Sequence, residues 1–240
     1  MLETVTAVTN HLRRWLPWRC FSCGEPSLST SHGLCPWCRR ALPRWQHGCP
    51  RCGEPLALDQ LCQHCLHRLP PLDGCQALWL YQPPLQRLIA QMKYPGDAPL
   101  ATVLAQSAAP LIHSLVTQSI LVPVPLHHNR LAERGFNQAQ LLAEYWSRAL
   151  GLTCAQLLTR TADTPPQAGM KAAARRRNLR RAFTVNGPVK GLRLVLVDDV
   201  MTTGSTLFAA ARVLKAAGAS EVRALVLART PLDRRSGILG

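Results

Sequence analysis

Acidic residues are scarce in this chain. Its 240 residues hold 13 Asp and Glu against 28 Lys and Arg, a formal charge of +15. Between Asp163 and Asp198 there is no acid, while Lys171, Arg175, Arg176, Arg177, Arg180, Arg181, Lys190 and Arg193 fall in the same stretch. Such a block is a phosphate-attracting surface or a basic arm, and its polyanion is a ligand diphosphate, a nucleic acid strand or both. Aromatic residues are also few, at 6 Trp, 3 Tyr and 4 Phe, so no stacking platform for single strands stands out. No apolar run approaches the roughly 20 residues of a membrane span, which argues against membrane insertion. The start of the chain carries Glu3 rather than basic residues and lacks an apolar signal core, so a cytoplasmic location is expected. Val5, Val8, Leu12 and Trp15 share one helical face and predict a short docking helix over 1–16.

Cysteine, by contrast, is abundant and patterned. Eight of the ten cysteines form four CxxC pairs: Cys20 and Cys23, Cys35 and Cys38, Cys49 and Cys52, Cys62 and Cys65. The segment also repeats itself, since Cys-Phe-Ser-Cys-Gly-Glu-Pro at 20–26 returns as Cys-Pro-Arg-Cys-Gly-Glu-Pro at 49–55. Each copy carries a second pair and then Leu-Pro, at 42–43 and 69–70. Two copies of one unit predict two metal sites, each closed within its own copy; a crossed arrangement joining the first pair to the third is the alternative. Zinc suits four thiolates in a tetrahedron, whereas CxxC pairs make awkward disulfides and good chelates. An iron–sulfur cluster would announce itself by colour. His32, His47, His64 and His67 lie close enough to substitute as ligands, but each copy already has four sulfurs. So small a segment has few large apolar residues, and metal binding is expected to supply its folding free energy. Cys75 and Cys154 stand outside the pattern and read as ordinary buried thiols.

A second signal lies at 194–207, Leu-Val-Leu-Val-Asp-Asp-Val-Met-Thr-Thr-Gly-Ser-Thr-Leu. An apolar run ends in two adjacent acids, followed by a small-residue loop and an amphipathic pattern from Leu207 to Ala217. The run reads as a strand buried on both faces, with Asp198 and Asp199 leaving the sheet edge together. Successive strand side chains diverge, so two acids in a row can span neighbouring sugar hydroxyls. Thr202, Thr203, Gly204, Ser205 and Thr206 offer amides, hydroxyls and one conformationally free residue ahead of a helix dipole. The ligand this predicts is a sugar phosphate. A plain acidic turn capped by Ser205 or Thr206 is the simpler alternative.

From Cys75 onward, strands alternate with helices. Strands are expected at 77–81, 120–125, 153–159, 192–197 and 221–228, and helices at 85–94, 98–117 and 137–150. That alternation argues for a mostly parallel sheet covered by helices, with ligands at the carboxyl ends of its strands. The division expected is 1–75 for the N-terminal helix and ribbons, and 76–240 for the α/β domain. After Pro125 comes a loop with Arg130, Arg134 and Gly135. Its guanidinium forks match diphosphate oxygens. Lys93 ends a helix and is a further phosphate candidate.

The 195–206 stretch resembles the phosphoribosyl-pyrophosphate (PRPP) motif of type I phosphoribosyltransferases. That resemblance implies that Asp198 and Asp199 hold the ribose hydroxyls, that Thr202–Thr206 takes the 5′-phosphate, and that Val200 and Met201 belong to the same PRPP-binding stretch. By position, 127–136 resembles the family's pyrophosphate loop and 159–183 its closing loop, where Gln167, Lys171 and Arg175 could reach the ligand. The tandem CxxC pairs, Lys93-Tyr94, the Val-Pro-Val-Pro run with Arg-Gly-Phe-Asn-Gln, the Arg-Arg-x-Asn-Leu run and the Asp-Asp motif together resemble the ComF family in its GntX-type form. The resemblance covers nearly the whole chain. It implies a double zinc ribbon before a phosphoribosyltransferase-like domain, Mg²⁺ with PRPP, and a link to DNA uptake and its machinery. It leaves three readings open: transfer of phosphoribosyl to a base or amine, PRPP sensing without turnover, and single-stranded DNA binding through 171–181.

Overall fold

The structure is a computed structural model, and it describes residues 18–27, 33–94, 96–112, 118–161 and 182–232. The expected docking helix at 1–16 and the basic run at 171–181 lie outside these residues. Two short strands, β1 (Trp18–Arg19) and β2 (Pro26–Ser27), pair antiparallel at the front of the chain. The ribbons add two helical turns, α1 (Pro36–Arg40) and α2 (Gln63–His67). The α/β part then runs β3 (Gly74–Leu80), α3 (Leu85–Gln91), α4 (Ala98–Ala108), β4 (Ile120–Pro123), α5 (His128–Arg134), α6 (Gln138–Leu150) and β5 (Thr153–Cys154). It ends with β6 (Leu158–Arg160), β7 (Phe183–Val185), β8 (Arg193–Met201), α7 (Ser205–Ala216) and β9 (Glu221–Arg229).

Five strands form a wholly parallel sheet in the order β3-β9-β8-β4-β5. Its central strands are buried on both faces, so alternate side chains feed two different layers. Val195 and Val197 of β8 and Leu225 and Leu227 of β9 join the core built with Leu88, Leu104, Leu142 and Trp146. Leu194, Leu196, Val222 and Val226 point to the other layer, where Leu207, Ala210 and Leu214 of α7 cover them. The helices explain themselves locally: Asn137 caps α6 by accepting from Ala139 N–H, and Gly151 closes it in the left-handed region.

The ribbons are built into this frame. Cys20, Leu34 and Leu42 are buried on one layer, and Cys49, Cys52, Cys62 and Cys65 on the other. The link between ribbons runs along β3, the edge strand. Trp45 N–H donates to Leu78 O (3.2 Å), Leu80 N–H to Pro43 O (2.8 Å), and Arg44 bridges Trp79 antiparallel. An exposed parallel edge is thereby covered by the chain's own backbone.

Several elements differ from expectation. The expected strand at 153–159 is two strands in different sheets, because Leu157 N–H turns back onto Ala155 O (3.1 Å) and β6 pairs antiparallel with β7. The expected helix at 98–117 ends at Ala108 and tightens into a 3₁₀ turn over Ala109–Leu111. Pro110 explains this, since it has no N–H to continue the ladder and its ring crowds the preceding turn. The loop after Pro125 contains α5, closed by Gly135 at φ 76°.

Candidate functional site

The strand carrying the acidic pair does not stop before it. β8 continues through Met201, with Asp198 opposite Val226 and Met201 opposite Arg229. The acids therefore sit on a held backbone rather than leaving the sheet at Val197. They lie where β4 has already departed, for β4 ends at Pro123 opposite Val197. Val124 N–H makes the next contact, to Val197 O at 2.9 Å. Beyond that point each carboxylate bends onto the following amide: Asp199 N–H donates to Asp198 Oδ1 (2.9 Å) and Val200 N–H to Asp199 Oδ1 (2.7 Å). The backbone groups that lost a neighbouring strand are thus satisfied by side chains.

The two acids differ electrostatically. Burial first, and the negative charge of Asp199 second, push the Asp198 carboxyl well above its ordinary range, with Lys93 acting in the opposite sense. Asp199 has its own counterion, Lys93 Nζ, at 3.2 Å. Lys93 follows the end of α3, where its N–H donates to Ala90 O (3.2 Å). The lysine and the acid pair, 105 positions apart in number, are thereby brought together at the carboxyl edge of the sheet.

The loop after β8 has the form of an anion cradle. Thr202 and Thr203 are exposed. The Thr203 and Ser205 hydroxyls hydrogen bond to each other, and Ser205 N–H reaches Thr203 Oγ1 at 3.4 Å. Gly204 takes φ 78°, and a Cβ there would lie 2.6 Å from both Met201 Cε and Phe208 Cζ. Only glycine allows the chain to pass so close to its own strand before α7 begins at Ser205. The helix thus starts directly behind the exposed hydroxyls.

The arginines expected at the diphosphate are placed by α5, which follows β4 beside β8. Arg134 Nη1 donates to Gln138 Oε1 (3.3 Å). Neither Arg130 nor Arg134 is ion-paired with Asp198 or Asp199 among the described residues. Two residues escaped the sequence reading: Arg229, 1% exposed at the end of β9, and Glu54, 8% exposed in the second ribbon. Their ion pair is 2.9 Å long. The only sequence signal was a charge closing the apolar run Leu225–Ala228.

The cysteines form two groups, Cys20, Cys23, Cys35, Cys38 and Cys49, Cys52, Cys62, Cys65, with the sulfurs of each within 4.8 Å of one another. Each group draws on one copy of the repeat, and the crossed arrangement is not formed. Sulfur separations of 4.0 Å for Cys23 and Cys35 and 3.6 Å for Cys52 and Cys62 match a tetrahedron with metal–sulfur bonds of about 2.3 Å. They are far beyond a disulfide, and all ten cysteines are free. The donor set therefore fits Zn²⁺. In each group one thiol ionises more readily than an ordinary cysteine. Burial opposes ionisation of Cys20 and Cys49, but backbone N–H groups outweigh it and bring both down to about 7. Cys75 differs: burial raises it to about 12, and its Sγ rests 3.7 Å from Met201 Sδ. Cys154 is half-buried. His47 pairs with Asp59 at 3.3 Å on the surface rather than joining a sulfur group.

This geometry defines a class: a phosphoribosyltransferase-type α/β domain carrying a double zinc ribbon. The comparisons agree. Residues 11–66 match the double zinc ribbon domain and residues 141–238 the phosphoribosyl transferase domain. The DNA utilization protein YhgH of Salmonella typhimurium is 36% identical over 90% of this chain and 98% of its own. Competence protein F of Haemophilus influenzae is 34% identical over 88% and 96%, and competence protein ComFC of Bacillus subtilis 29% over 85% and 87%. The chain belongs to the ComF family of DNA utilization and competence proteins. Among solved structures, it is similar to the glutamine PRPP amidotransferase of B. subtilis at 23% identity and TM-score 0.36, over 52% of this chain and 24% of that one. A hypoxanthine phosphoribosyltransferase from Staphylococcus aureus aligns at 11% identity and TM-score 0.35, over 58% and 68%. No helix among the described residues is long and apolar enough to cross a membrane.

Proposed function

We propose that the chain binds PRPP at the turn between β8 and α7 and acts in the use of external DNA. The observation that carries this reading is the acid pair held in strand directly before a glycine-centred hydroxyl loop and a helix N-terminus. Asp198 and Asp199 take the ribose hydroxyls, and Thr202–Thr206 the 5′-phosphate. Arg130, Arg134 and Lys93 answer the diphosphate. The carboxylates of Asp198 and Asp199 are hard oxygen donors of the kind Mg²⁺ accepts, and the ion supplies charge neutralisation for the diphosphate. The division at 1–75 and 76–240 assigns structural zinc to the first part and the ligand to the second. Thiolate chelation requires a reducing compartment, which favours the cytoplasm.

Two alternative activities are consistent with such a site. In transfer, a base or amine nitrogen forms a bond to C1 as the C1–O bond to diphosphate breaks, and Arg130 and Arg134 meet the departing charge. In sensing, PRPP binds without turnover. Calorimetry with PRPP and Mg²⁺ tests the common step: Asp199→Ala should abolish binding, and unchanged affinity would remove the assignment. Pyrophosphate release across a panel of bases and amines then separates transfer from sensing. The single-stranded DNA reading rests on the basic run at 171–181. Fluorescence anisotropy with labelled strands should lose most of its signal once Arg175–Arg177, Arg180 and Arg181 are neutralised, and any residual binding should depend less steeply on salt. The partner proteins of DNA uptake belong to the same reading.

A further inference from the structure

Arg229 joins the second ribbon to the phosphate loop. Its guanidinium lies buried between them. Nε donates to Cys52 O (3.1 Å), a carbonyl of a zinc-ligating residue, and Nη2 pairs with Glu54 Oε2 (2.9 Å). Nη1 donates to Met201 O (3.2 Å) and Thr202 O (2.5 Å), and also to Thr230 O. One side chain thus grips a metal knuckle and the first two carbonyls of the loop. Thr230 N–H adds a second bond to Met201 O at 3.0 Å, while Glu54 Oε1 also accepts from Leu232 N–H at 2.9 Å.

The peptide plane turns this grip into a ligand effect. In a trans peptide the C=O and the following N–H point in opposite directions. Holding the Met201 and Thr202 carbonyls toward Arg229 therefore turns the amides of Thr202 and Thr203 away from it, to the open side of the loop. On the sugar-phosphate reading, a phosphate at 202–206 would meet those amides. Glu54 balances the buried charge, so the clamp stands on the ribbon rather than on solvent. The first ribbon is differently placed, with its buried Cys20 packed against the opposite layer of the sheet.

We propose that Arg229 is a positioning residue that couples metal occupancy at Cys49, Cys52, Cys62 and Cys65 to sugar-phosphate binding at 201–206. The second ribbon is then a support for the ligand site, and the first is not. The coupling rests on the reading of 198–206 as the sugar-phosphate site. Linkage between two binding equilibria is reciprocal, so PRPP must tighten zinc at the second ribbon as much as zinc tightens PRPP.

The test uses the zinc-loaded full chain in equilibrium competition with a chelator, with and without PRPP and Mg²⁺. PRPP should raise the affinity of one of the two zinc ions by about fivefold or more, the lower end of typical coupling. Arg229→Lys keeps the charge but cannot reach all its acceptors. It should retain two zinc ions, lose the PRPP-dependent gain, and show faster amide exchange at Thr230. Cys38→Ser in the first ribbon should leave the gain in place. Glu54→Gln gives a second route to the same loss should Arg229→Lys fail to fold. An undiminished gain in the folded variant, or unchanged exchange at Thr230, would overturn the clamp. If PRPP does not bind the unsubstituted chain, the sugar-phosphate reading falls, and the exchange comparison alone decides whether Arg229 holds the loop.

Discussion

Lys93 Nζ sits 3.2 Å from Asp199 Oδ2, so the acid assigned to the sugar is paired with a cation of the protein before any ligand arrives. On the proposed PRPP reading, the ligand and its metal take over that carboxylate and free the lysine for the diphosphate oxygens. A charge-assisted hydrogen bond contributes about 1.5–3 kcal/mol, or tenfold and more in affinity. Lys93→Met is therefore expected to weaken PRPP about tenfold while changing ribose 5-phosphate little. Calorimetry with both ligands checks this, and equal losses would place Lys93 on the sugar instead.

Asp198 makes a different prediction, about pH. Its carboxyl titrates above the usual range because burial and Asp199 disfavour the charged form. The folded state then holds a proton that the unfolded state has released. Stability accordingly falls as pH rises from the ordinary carboxylate range through the raised value. Asp198→Asn keeps an acceptor for Asp199 N–H and removes the buried charge. It should stabilise the fold at neutral pH by roughly 0.5–2 kcal/mol, seen as a higher midpoint of thermal unfolding, yet lose PRPP binding. Scans of both forms from acid to neutral pH should converge at the acid end.

The two zinc sites should be unequal. Cys23 is exposed and Cys35 and Cys38 are half-buried, whereas all four sulfurs of the second group are buried. A chelator should remove two ions per chain in two phases, the fast one from Cys20, Cys23, Cys35 and Cys38. Both phases should quicken as pH falls, because protons compete with the metal for the thiolates. Release of a single ion would contradict two closed sites.

Gly204 bears the tightest backbone constraint of the loop. Alanine there would meet Met201 Cε and Phe208 Cζ at 2.6 Å and would also have to hold φ 78°. Gly204→Ala should cost about 1–3 kcal/mol in stability. It should weaken PRPP more than a substitution at exposed Thr202, as read by urea unfolding and calorimetry together.

The metal groups and the acid-and-hydroxyl turn were legible because their residues are local in sequence. A CxxC knuckle brings its own pair of sulfurs together, and the repeat at 20–26 and 49–55 then told which pairs share an ion. The acid pair and the loop are contiguous, so one strand-to-helix turn assembles them. Strand ends were less legible. Asp198 and Asp199 remain in β8 because β9 continues to pair with it after β4 has left, and neighbouring strands are invisible in a linear pattern. The same limit split 153–159 into two strands, since its apolar residues fit either one strand or two.

Composition, spacing and repeat were enough to specify two four-sulfur centres and a helix-covered parallel sheet with an acid-and-hydroxyl turn at its edge. They specify these because short-range geometry and side-chain periodicity are written in neighbouring residues. The meeting of Lys93 with Asp199, and of Arg229 with Glu54, Cys52 and the 201–202 carbonyls, arises only when distant segments pack. Burying a guanidinium demands partners on every side, and no stretch of the chain holds them all; folding alone gathers them.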